Sequence, residues 1–166
     1  MDATTVKDQR MFSLIVLYDM HTRYFRSALD GIRGEDAHKR LDTKANHVAW
    51  LTGSLVQQRY DIANKLGVAG QQAANDLFKE NQGIKDNVTY PSLDQFRKDW
   101  DAISPKLREA FCNVTTGQLN AKFEMMPGYQ MTNYELITFM IYREANCIGQ
   151  IALWRRLLGY EGMKYM

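Results

Sequence analysis

The stretch from Thr132 to Gly159 constrains the fold more than any other part of the chain. Thr132, followed three residues later by Glu135, forms a capping box, in which each side chain satisfies an orphan backbone N–H at a helix start. Leu136, Met140, Cys147, Ile151, Trp154 and Leu158 then recur at helical spacings, and Gly159 supplies the stop. Packing of the amphipathic face stabilises a long helix more than propensity does, so other segments must cover this stripe.

Three further segments have the same period. Met11 to Ile32 carries Leu14, Tyr18, His21, Phe25, Ala28, Leu29 and Ile32 on one side, ended by Gly31 and Gly34. Lys44 to Leu66, with Asp42 or Thr43 as its cap, carries Val48, Leu51, Leu55, Ile62 and Leu66, with Gly67 as the stop. After Pro91, Ser92 is a good N-cap for a helix with Leu93, Phe96, Trp100, Ile103 and Leu107 inward; the stretch Asp101 to Pro105 is where it could kink. Strand signals are weak, because clean period-two alternation is missing and no Asn-Gly or Asp-Gly turn separates two β-rich runs. Between Gly67 and Tyr90 the pattern is ambiguous, with room for a short helix near Gln71 to Phe78. The expected fold is all-α: one domain over residues 1–166, a four-helix bundle with a long link between its second and third helices.

Composition excludes several classes. With 166 residues, 45% hydrophobic and 24% charged, the chain can bury a core without staples. The net charge is +2, and the longest basic cluster is Arg155-Arg156, too little for a phosphate track, so no nucleic-acid partner is expected. Cys112 and Cys147 make neither a disulfide framework nor a zinc pattern. Met1 to Arg10 lacks the apolar stretch of a secretory signal, and no apolar run approaches the ~18 residues of a membrane span. No membrane partner is expected, and the cytoplasm is the expected compartment.

Polar residues interrupt three of the stripes. Arg143 lies between Met140 and Cys147, where a cation must snorkel outward or meet a buried acid. Ser54 and His47 lie on one side of the second helix, beside Leu51 and Leu55, and His21 is central on the first. Each has a plain structural alternative: a satisfied core histidine, a serine bonded to the carbonyl one turn back, a cysteine acting as a small hydrophobe. Arg143 points most strongly to a polar pocket.

Two stretches resemble a known family. Ala49-Trp50-Leu51-Thr52-Gly53-Ser54-Leu55 resembles the second-helix motif of DinB-like proteins, in which a tryptophan and a glycine precede a metal-binding histidine. Arg143-Glu144-Ala145-Asn146-Cys147-Ile148-Gly149-Gln150-Ile151 resembles that family's last-helix motif, His-Glu-Ala-x-His followed by x-Gly-Gln-Ile. The resemblance implies a four-helix bundle, often dimeric, related to thiol-dependent transferases, with a metal held by three histidines. Those three positions here read Ser54, Arg143 and Cys147.

The resemblance therefore implies a divergent DinB-like domain that has lost its metal site and has no cofactor. Its expected role is to bind a small anionic ligand near Arg143, or to self-associate, with Asp19, Asp61 or Glu144 as acids that could pair with the arginine. Whether it catalyses any reaction stays open. Two alternatives remain: a thiol-linked transferase using Cys147, its pKa lowered by Arg143, and a rearranged metal site built from His21, Cys147 and the pocket neighbour Glu144. A homodimer is expected, because Ile137, Ile141, Ile148 and Leu153 exceed one bundle face and the tail adds Tyr160, Met163, Tyr165 and Met166.

Overall fold

A computed structural model describes residues 5–165, so Met166 of the tail lies outside the described residues. The structure is mostly helical and of the all-α class. Four long helices dominate: α1 (Met11–Leu29), α2 (Val48–Lys65), α4 (Leu93–Asn113) and α6 (Asn133–Leu157). Between them lie short α3 (Asn75–Phe78), α5 (Thr116–Asn120), and a hairpin of β1 (Lys122–Met126) and β2 (Tyr129–Thr132). Among the described residues, no helix is long and apolar enough to cross a membrane.

Each long helix packs against two others: α1 and α2 both contact α4 and α6. Pairwise bonds set the directions. Tyr18 Oη donates to Ser104 O at 2.9 Å and Arg97 Nη2 to Leu29 O at 2.6 Å, so α1 and α4 are antiparallel. Arg143 meets Ser54 while Trp154 Nε1 donates to Asn46 O, so α2 and α6 are antiparallel. Arg10 stacks over Tyr134 at one end and Arg155 donates to Ala28 O at the other, so α1 and α6 run the same way. It follows that α2 and α4 also run the same way, and the link after α2 must return along the whole length. That is why it is long.

The inward stripes of α1 and α4 are buried as the spacing predicts, with Phe25 stacked on Trp100 at 3.9 Å. The ends of the predicted helices shift. Helix α2 begins at Val48 rather than Lys44, because His47 itself is the N-cap, its Nδ1 accepting from Trp50 N at 3.1 Å. Helix α4 runs through Pro105 without ending. Only Asn75–Phe78 of the expected link helix forms, followed by a 3-10 turn at Lys79–Asn81.

The hairpin is the element sequence reasoning missed. Its turn is Pro127-Gly128, and Gly128 takes φ +80, the left-handed position a proline-glycine turn of type II requires. Both strands are largely exposed, so they lack the buried face that would have produced alternation.

The surplus isoleucines are also corrected. Ile137, Ile141 and Ile148 are buried within the chain's own core, and only Leu153, 58% exposed, is left uncovered. In the tail, Tyr160 and Met163 pack back on that core, and Tyr160 Oη bonds Asp36.

Candidate functional site

Helix α6 presents Arg143 toward α2. Its Nη2 donates to Ser54 Oγ at 2.7 Å and its Nη1 to Gln58 Oε1 at 2.9 Å, two acceptors one turn apart on α2. The side chain is half-buried, and among the described residues no carboxylate stands within ion-pair distance. The expected acidic partner is thus replaced by two neutral oxygens. Asp19 is held by Arg108, and Glu144 by Arg59.

Arg143 and Ser54 border a cavity of about 470 Å³ between α2, α6, the link that carries α3, and strand β1. The size falls within the range usual for small-molecule sites, ~300–1,000 Å³. Its other charged residues are Asp61 and Lys65 of α2. Partial burial pushes the Asp61 carboxyl up, against the opposing bond from Gln57 Nε2 at 2.8 Å, while Lys65 Nζ lies 3.4 Å from the centre of the Phe123 ring.

Cys147 lies one turn beyond Arg143 but does not line the cavity. It is buried, and burial pushes its thiol pKa up, outweighing the opposing pull of Arg143. The expectation of a thiol activated by that arginine is corrected: desolvation of the thiolate wins.

The most deeply buried charges are a different pair. Arg59 and Glu144 are both 0% exposed and form a bidentate bridge, Nε to Oε1 at 2.7 Å and Nη2 to Oε2 at 2.9 Å. Arg59 Nη1 donates to Thr22 Oγ1 at 2.9 Å and Ser104 Oγ at 2.7 Å, and the guanidinium lies between Trp100 at 3.4 Å and Tyr18 at 3.9 Å. Burial pushes the Glu144 carboxyl up, but the Arg59 guanidinium and the His21 ring together outweigh it and hold the carboxyl below its ordinary value. His21 Nδ1 faces Glu144 Oε2 at 3.3 Å, outside the Arg143 cavity. The inward polar residue of α6 is therefore Glu144, with Arg143 one position round at the edge. A sequence signal for Arg59 existed: it sits four after Leu55 and three before Ile62, on the α2 stripe, as Arg143 sits on that of α6.

These placements do not fit the three-histidine metal site that the resemblance implies. Ser54 Oγ is occupied by a guanidinium, Arg143 would repel a divalent cation, and the Cys147 thiol is held protonated by burial. The rearranged set fails as well, because both Glu144 oxygens are bonded to Arg59. Among the described residues no group of three His, Cys, Asp or Glu side chains is placed to hold a metal ion. No protein-family model matches the chain, and no curated protein does either.

Proposed function

We propose that the chain is a DinB-like four-helix bundle in which an anion-binding pocket stands in place of the family's metal site. The observation that carries this reading is the Arg143 guanidinium, set by Ser54 and Gln58 on a cavity wall, with no carboxylate within ion-pair distance among the described residues and Lys65 offsetting the one acid of the lining, Asp61. A guanidinium held by neutral acceptors keeps its full charge and further N–H donors for a carboxylate or similar oxyanion. On this reading the protein works without a metal or cofactor, in the cytoplasm, as a binding protein, with the Ser54 hydroxyl spent on positioning Arg143.

Self-association belongs to the same proposal but rests on other residues than the core isoleucines. Phe12 and Val16 are one turn apart and exposed on α1, and Leu153 and Leu157 are likewise on α6. A homodimer that covers them would scatter light as twice the 19.2 kDa chain mass at micromolar concentration, and a clean monomer mass refutes it.

The anion reading is tested by thermal unfolding in acetate or sulfate at fixed ionic strength. The wild-type melting temperature should rise with anion concentration, because only native-state binding stabilises, and Arg143→Met should abolish the rise. Equal shifts in both proteins would remove Arg143 from the site.

A further inference from the structure

The chemistry of the cavity walls defines the ligand beyond its charge. Apart from Arg143, Lys65 and Asp61, the polar lining is neutral, and apolar side chains come from every element around the cavity. Trp50 belongs to α2, Phe78 to α3, Phe123 to β1, and Leu136, Phe139 and Met140 to α6. Phe139 is 51% exposed while lining the cavity, so apolar surface stands uncovered at its opening. Arg143 and Lys65 exceed Asp61 by one charge, which a single anionic head would balance. A polyanion such as a nucleoside diphosphate would find one half-buried guanidinium among aromatic rings, and a neutral ligand would desolvate that guanidinium further without supplying a counter-charge.

We infer that the cavity takes a small monoanion with an apolar body, a carboxylate of the fatty-acid or aryl-acid class, its head on Arg143 and its body between Phe78, Phe123, Phe139 and Met140. This rests on the reading of Arg143 as an anion site. The cavity volume of about 470 Å³ accommodates such a molecule, and the aromatic walls supply large apolar area at small conformational cost.

Calorimetric titration of the full chain with butanoate, octanoate and 1-octanol tests the inference. Each buried methylene tightens binding by up to about fourfold, so octanoate should bind at least about tenfold more tightly than butanoate. Octanoate should also exceed 1-octanol, which lacks the charge, by about tenfold. Arg143→Met should erase the difference between octanoate and 1-octanol. Phe139→Ser, at a position 51% exposed, should weaken octanoate several-fold more than it weakens butanoate. Equal affinities for butanoate and octanoate, both lost in Arg143→Met, would overturn the apolar-body inference and leave the anion site standing. Equal affinities for octanoate and 1-octanol, unaltered by Arg143→Met, would overturn both, as would no binding of either at millimolar concentration.

Discussion

The Arg59–Glu144 pair should be the most sensitive polar position in the molecule. Glu144→Gln keeps the side-chain volume but removes the counter-charge and one of two acceptors, leaving a fully buried guanidinium with one amide oxygen, Thr22 and Ser104 as its remaining partners. Removing one member of a buried ion pair costs about 3–5 kcal/mol. The rings of Trp100 and Tyr18 stay in place and retain about 1–2 kcal/mol of cation–π attraction, so the expected loss is near 3 kcal/mol. Arg59→Met strands the carboxylate instead. Without the guanidinium, burial raises the Glu144 carboxyl above its ordinary value of 4.5, so the folded variant takes a proton that the unfolded chain does not, and its deficit should shrink as pH falls from neutrality towards 4.5. The double variant Arg59→Met/Glu144→Leu removes both charges and should lie within about 1 kcal/mol of wild type. Urea unfolding of all four proteins, analysed as a double-mutant cycle, gives the coupling. Single variants that each cost under about 1 kcal/mol and add without coupling would refute the buried bridge as the organiser of this core.

Two further outcomes follow from the fold. A Cβ on Gly53 would stand 2.2 Å from Phe78 and 2.8 Å from Phe96, so Gly53→Ala should destabilise by about 1–3 kcal/mol despite the better helix propensity of alanine; Phe78→Leu added to it should recover part of the loss in the same assay. His47 is buried, which lowers its pKa to about 4, helped by nearby His38. Between pH 6.5 and 4 the unfolded chain takes a proton that the folded chain refuses, so stability is full above 6.5 and should fall by up to about 3 kcal/mol down to pH 4. His47→Asn, which keeps a capping acceptor, should flatten that stretch of the stability–pH curve; an unchanged slope would assign the dependence elsewhere.

The helices were legible because each has a strong local signal: the Thr132–Glu135 box, Ser92 as cap, and stripes at three and four. The α2 start was not, because a histidine cap is no standard signal and the preceding loop depends on positive φ at Leu41 and Asp42. The hairpin was hidden because exposed strands carry no burial pattern. At the site, the resemblance set Ser54 and Arg143 at neighbouring positions and the two side chains do meet, but stripe spacing could not divide the work between adjacent residues. One step along α6 is about 100° of rotation, enough to send Glu144 into the core and Arg143 to the cavity edge. The partner of Glu144 lay on another helix, and which inward arginine meets which acid is a tertiary fact that no period encodes.

The claim that a guanidinium has taken the place of a metal is tested most directly by elemental analysis of untagged protein purified without chelator. The account predicts zinc, nickel, iron and manganese all far below one equivalent per chain, because Ser54, Arg143 and Cys147 offer no competent ligand set. One equivalent of any of these metals, retained through gel filtration, would contradict it.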